Sequence, residues 1–234
     1  MTRVIDLTWP LWEGMPNPPA HPVTPKLVSG TMSHKATALW MAKSPRYGQV
    51  SFASEQFLLA GHMGTHLDAP YHGNPEGATV DAVDLAHVCG EAVWLDVSTA
   101  FGPRALVTSA HLEQALAAAG VALAPIVLLY TAWSRNREDP RRYFRDSMGL
   151  SEEAAVWLRE RGTLTVGVDA PSVDPGGSAE VPAHMNFFRP RPGEPAICVI
   201  ENLIRLEEIP GHGFYFVGAP LPLRGVSGSP IRAL

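Results

Sequence analysis

Residues 62–72 read His-Met-Gly-Thr-His-Leu-Asp-Ala-Pro-Tyr-His, so three imidazoles and a carboxylate fall within eleven residues. Gly61, Gly64 and Pro70 discourage a long helix through this stretch, because glycine frees the backbone and proline removes a donor. The histidines are therefore expected on a turn or loop. On an extended segment His66 and Asp68 share a face, and a bend at Gly64-Thr65 folds His62 back toward the same point. Imidazole nitrogens and carboxylate oxygens that converge in this way suit zinc and similar divalent metals. Spacing alone leaves a structural and a catalytic site both open.

The rest of the chain must supply a scaffold. With 234 residues, 46% of them hydrophobic and 18% charged, it is long enough for one sizeable core, and a single domain over residues 1–234 is expected. Ala92 to Val97 and Ile126 to Tyr130 are short, apolar and partly β-branched, which reads as buried strands. Between them, Leu112, Ala115, Leu116 and Ala119 recur at helical spacing, with Thr108 or Ser109 as the cap and Gly120 as the stop. A second helix opens at Ser151-Glu152-Glu153, runs through Leu158 and Arg161 and ends at Gly162. It leads into a strand from Leu164 to Val168. Ala196 to Glu201 and Phe214 to Val217 add strands, so the class is mixed α/β.

Composition removes several functions. The net charge is −5 and the basic residues are scattered, apart from Arg141, Arg142 and Arg145, so nucleic acid is not an expected partner. No window approaches 18 uninterrupted apolar residues, and the opening stretch meets Asp6 and Pro10 too early for a signal core. The expected setting is cytoplasmic, without a membrane span. Cys89 and Cys198 make neither a disulfide framework nor a four-cysteine zinc site, and Cys198 is expected as a buried free thiol. The 22 prolines and 21 glycines are dispersed, which implies many ordered loops, among them an extended one from Met15 to Pro22.

The pattern His62-x-Gly64-Thr65-His66-x-Asp68-x-Pro70-x-His72 resembles the signature of the cyclase family, which includes bacterial kynurenine formamidases and isatin hydrolases. The resemblance extends to Ile5-Asp6-Leu7-Thr8 with Gly14-Met15-Pro16, and to Val166 through Asp174. It also takes in Ile200-Glu201-Asn202-Leu203 and Gly228-Ser229-Pro230-Ile231-Arg232. It implies a single-domain swivelling β/β/α fold with a mixed sheet or barrel-like core. It implies further that His62, His66 and Asp68 hold one metal, that Asp68 bridges, and that His184 and Glu201 complete a second site. His72 would be the general acid and base. One or two ions of zinc or manganese, a small-molecule substrate and a homodimer or homotetramer follow from the same resemblance. The chain departs from compact formamidases in a longer interval between His184 and Glu201, and in Asn17-Pro18-Pro19-Ala20, where those enzymes carry a Trp-Pro-Gly-Asp pattern.

The activity this implies is hydrolysis of a C–N amide bond, a formamide or a cyclic amide, by metal-activated water. A cyclase or lactone hydrolase is the neighbouring reading, and a non-catalytic metal-stabilised binding protein is the reading from another class. A Ser-His-Asp hydrolase is set aside because Gly225-Val226-Ser227-Gly228 falls short of a nucleophile elbow. By residue type alone His184 and Glu201 are ordinary polar groups, one in a loop and one at a strand end. Trp12, Trp40 and Phe187 either line an aromatic pocket or serve as packing.

Overall fold

Five consecutive apolar residues, Ile126 to Tyr130, are comfortable in a strand only when layers of structure cover both of its faces. In the computed structural model all five are buried within a seven-stranded sheet. The structure describes residues 3–18, 26–44, 46, 50–189 and 191–234, so Pro19 to Pro22 of the expected N-terminal loop and Pro190 lie outside the described residues.

Two compact units emerge, one formed by residues 11–60 and one by residues 1–10 with 61–234. The smaller carries β1 (Lys26–Met32), α1 (His34–Met41) and β2 (Ser54–Leu58). The larger carries, in chain order, β3 (His66–Asp68), β4 (Cys89–Asp96), β5 (Leu106–Val107), α2 (Ser109–Ala119), β6 (Ile126–Tyr130) and α3 (Pro140–Arg145). It continues with β7 (Gly149–Leu150), α4 (Glu152–Glu160), β8 (Thr165–Val168), α5 (Pro182–Phe188), β9 (Cys198–Glu201), β10 (Gly213–Val217) and β11 (Gly228–Pro230).

The sheet of the larger unit has the order β10-β4-β6-β8-β9-β3-β11. Its centre, β4 to β9, is parallel, and both flanks are antiparallel. Parallel neighbours need crossover connections, and the segments containing α2, α3 with α4, and α5 provide them. This is the mixed α/β class with a mixed sheet. Leu67, Ile126, Leu128, Cys198, Ile200 and Phe216 pack into one core. Each such aliphatic side chain contributes about 1.5–3 kcal/mol when fully buried.

Both helices expected from periodicity form where their caps place them. The Thr108 amide donates to His111 Nδ1 at 3.1 Å at the start of α2, and Gly120 ends it at φ +64°. Ser151 Oγ accepts from the Ala154 amide at 3.2 Å at the start of α4. Three short helices, α1, α3 and α5, were not expected. The last matters here: it opens with Pro182, whose missing amide is harmless in a first turn, and buries Phe187 and Phe188. His184 therefore sits on a helix and not in a loop, and Phe187 serves as packing.

In the smaller unit β1 and β2 pair antiparallel, and Ser33 caps α1. Thr37 Oγ1 donates to the Phe52 carbonyl at 2.6 Å and accepts from the Phe52 amide at 2.8 Å. Met15 and Thr37 are the buried residues among those described in this unit, while Leu39, Trp40, Phe57 and Leu58 are exposed.

Candidate metal centre

β3 is three residues long, and its alternation does most of the assembly. Leu67 turns into the core while His66 and Asp68 turn to the opposite face, all three buried. The antiparallel register sets His66 directly across from Glu201 on β9. Directly opposed residues have their Cβ atoms about 4.5–5.5 Å apart, which brings His66 Nε2 to 3.5 Å from Glu201 Oε2. His66 and Asp68 thus belong to a strand, not to the turn or loop expected of the whole segment.

The bend at Gly64, φ +56°, returns His62 to the same face. His62 Nδ1 lies 2.6 Å from Asp68 Oδ1, and its Nε2 lies 2.9 Å from Ser227 Oγ. The ring rests on Gly228, the residue paired with Asp68 on β11. A Cβ at that position would fall 2.4 Å from His62 Cε1. His66 Nε2 is 3.2 Å from the same Asp68 Oδ1, while its Nδ1 donates to the Gly64 carbonyl at 2.9 Å.

The other carboxylate oxygen of Asp68 faces α5. His184 Nε2 stands 3.5 Å from Asp68 Oδ2 and 3.4 Å from Glu201 Oε1. Asp68 is therefore flanked by His62 and His66 through Oδ1 and by His184 through Oδ2. The longer interval between His184 and Glu201 does not separate them, because Arg159 gathers the intervening chain. Its guanidinium donates to the carbonyls of Asn186, Phe187 and Pro195. His72, in the 3-10 turn Pro70–His72, stacks on His62 with ring centroids 4.0 Å apart and lies 5.9 Å from His184. All six residues singled out in the sequence come together in one place.

Among the described residues, two overlapping sets offer ligand atoms within 4.8 Å of one another: His62, Asp68 and His72, and His66, Asp68 and Glu201. Asp68 belongs to both. The charge balance asks for a cation. Asp68 and Glu201 are 1% and 6% exposed, and buried carboxylates are costly unless paired or bound to a metal. The histidines respond to that demand. Burial opposes charge on His66, yet Asp68 and Glu201 more than reverse the effect and hold its imidazolium up to about 9. Burial likewise opposes charge on His184, and Asp174, Asp68 and Glu201 push it well above the ordinary histidine range. Burial would raise Asp68, but His66, His184 and His62 hold it well below the usual carboxylate range. A site that draws protons onto its own imidazoles in this way fits a divalent cation.

His72 behaves differently. Burial is the main cause that lowers its pKa, Asp68 opposes this, and His62 and His184 push it further down. It is a neutral base beside groups that favour positive charge.

Sequence reasoning missed two partners, Asp174 and Ser227. Asp174 Oδ2 lies 2.5 Å from His184 Nδ1, and Ser227 holds the far nitrogen of His62. Asp174 closes the run that begins at Val166, and Ser227 sits in the glycine-flanked stretch considered only as a nucleophile elbow. Hydrogen-bonding residue types close to a motif were the only signal available.

A family model described as "Putative cyclase" matches residues 5–175. A kynurenine formamidase of Bacillus cytotoxicus is 31% identical over 208 residues, covering 84% of this chain and 90% of the relative. Another, from Paracidovorax citrulli, is 32% identical over 176 residues, covering 75% and 76%. Among solved structures, an isatin hydrolase bound to the product analogue thioisatinate superposes with a TM-score of 0.79 at 23% identity, over 98% of this chain and 90% of that one. Isatin hydrolase A from Ralstonia solanacearum gives 0.77 at 25% identity, over 99% and 90%.

Proposed function

The chain belongs to the cyclase family, and we propose that it is a metal-dependent hydrolase that cleaves the C–N bond of a small amide, a formamide or a cyclic amide carried by an aromatic compound. The observation that carries this reading is the position of Asp68, with His62 and His66 on one carboxylate oxygen and His184 on the other, while Glu201 stands opposite His66 in the strand pair. The relatives' names support the substrate class, since a formamide and the lactam ring of isatin share an acyl C–N bond.

In this reading His62, His66 and Asp68 hold one ion, and Asp68, His184 and Glu201 hold a second. Imidazole and carboxylate donors suit zinc and manganese. When bound, the metal supplies Lewis acidity that polarises a carbonyl and acidifies water toward neutrality. The chain's own groups do the rest. His72, neutral near pH 7, takes the proton released as water adds to the carbonyl carbon. It returns that proton to the nitrogen as the C–N bond breaks, so the products are a carboxylic acid and an amine. Ser227 and the Gly64 carbonyl fix the two imidazoles of the first half, so that neither ring must reorient during turnover.

A second role for His72 has one observation behind it, its place with His62 and Asp68 in a possible ligand set. Metal content and turnover of His72→Ala separate the roles: a proton carrier loses rate and keeps metal, a ligand loses both.

We propose in addition that residues 1–234 act as one catalytic domain, in keeping with a family match that runs through both compact units. A homodimer or homotetramer is supported by the exposed Leu39, Trp40, Phe57 and Leu58, which a second copy would cover. A cytoplasmic setting accords with the unpaired Cys89 and Cys198. Among the described residues no helix is long and apolar enough to cross a membrane.

A further inference from the structure

The last half of the centre is set by one short loop. After β8 the chain runs through Ser172, Val173 and Asp174 before α5 begins. The Val173 amide donates to Glu201 Oε1 at 3.0 Å, and the Leu150 amide holds the Val173 carbonyl at 2.7 Å. Asp174, 1% exposed, makes three contacts with the start of α5. Its Oδ1 accepts from the Ala183 amide at 2.7 Å, its Oδ2 accepts from the His184 amide at 3.2 Å, and the same Oδ2 faces His184 Nδ1 at 2.5 Å. The loop is seated against Gly149, where a Cβ would lie 2.3 Å from the Asp174 carbonyl carbon.

We propose that Asp174 is the positioning residue for His184. Its carboxylate keeps the proton on Nδ1 and fixes the ring rotation, so that Nε2 offers its lone pair between Asp68 and Glu201. The inference rests on the metal-dependent reading above. A carboxylate accepts and never donates, so an imidazole beside it presents an N–H, and the opposite nitrogen is left as the ligand atom. Asp174 reaches no ligand position itself. It acts on the ion only through the ring it orients, as outer carboxylates do at other histidine–metal centres.

Asp174→Asn separates this role from helix capping. Asparagine caps first-turn amides about as well as aspartate. With its oxygen kept on the Ala183 amide, however, its NH₂ takes the place of Oδ2, gives up the His184 amide and faces His184 Nδ1, where a donor favours the tautomer whose Nε2 carries the proton and cannot ligate. The test is calorimetric titration of the metal-free full chain with zinc chloride, for wild type, D174N and H184A, with circular dichroism on each. Nitrogen-15 spectra of histidine-labelled, zinc-loaded wild type read the tautomer directly. Zinc affinity reduced roughly 10–100-fold in folded D174N, together with an Nδ1-protonated His184 in wild type, is the expected result. D174N binding zinc as tightly as wild type while H184A weakens overturns the inference and leaves the metal reading standing. So does a His184 in zinc-loaded wild type that is protonated at Nε2 and bare at Nδ1, whatever the variant does. Wild type that binds no zinc overturns both.

Discussion

His66 and Glu201 face each other across the antiparallel β3–β9 pair, their side chains 3.5 Å apart at Nε2 and Oε2. They are 135 positions apart in the sequence, and one strand register unites them. A shift of the register by a single residue would turn Glu201 into the core side and leave His66 opposite Ile200 or Asn202. Leu67 and Ile200, paired between them and fully buried, make that shift costly, so the hydrophobic core sets the geometry of the polar site.

His72 stacks on His62 from the exposed side of the cluster and has a lowered pKa. Replacing it with alanine is expected to cut amide hydrolysis by about 10²–10⁴-fold while bound metal per chain stays unchanged. Elemental analysis beside initial rates checks this, and a parallel loss of metal would reassign His72 as a ligand.

Gly228 leaves room for the His62 ring, and no side chain fits in its place. Gly228→Ala is expected to displace His62 from Asp68, weaken metal binding at least tenfold and cost about 1–3 kcal/mol of stability through overpacking. Thermal unfolding with and without zinc measures both effects. A variant with wild-type metal affinity would show that the ring's seat is not needed.

In the metal-free protein burial opposes charge on His66, but Asp68 and Glu201 raise its pKa from 6.5 to about 9. A pKa raised by folding stabilises fully below pH 6.5 and loses that contribution as the pH climbs through about 9. Metal binding has the opposite dependence, because a ligand imidazole must be neutral. Zinc affinity should therefore rise with pH, and filling the site near pH 7 should release protons, roughly one from His66 and another from His184, with the His66 release fading above about pH 9. Calorimetry in buffers of different ionisation enthalpy counts the protons, and none released near pH 7 would contradict the assignment.

Burial pushes the Cys198 thiol up to about 12, with Asp68 adding to the shift, whereas Cys89 is partly exposed. An aromatic disulfide reagent should label Cys89 in the native protein and reach Cys198 only on unfolding, since the thiolate is the reactive form. Mass spectrometry of labelled peptides identifies each site.

The strands at Ala92 and Ile126, and helices α2 and α4, were legible because periodicity and caps are local signals. The first half of the centre was legible for a related reason: His62, His66 and Asp68 lie close in sequence, and Gly64 announces the bend. His184 and Glu201 were visible only through family resemblance, because what unites them with Asp68 is a strand register and a helix, both decided by tertiary packing. α5 escaped notice since its seven residues are too few for a periodic pattern and depend on burying Phe187 and Phe188. Asp174 and Ser227 hold imidazoles in place, a role that residue type does not reveal.

In the proposed function the ion held around Asp68 serves chemistry and not merely the fold. The most direct measurement follows hydrolysis of N-formyl aromatic amines and cyclic aromatic amides by the full chain, before and after chelation, with circular dichroism recorded alongside. The chelated protein is expected to stay folded, lose hydrolysis, and regain it when zinc or manganese is restored. A chelated, folded and metal-free protein that hydrolyses these amides at the original rate would contradict that role for the ion.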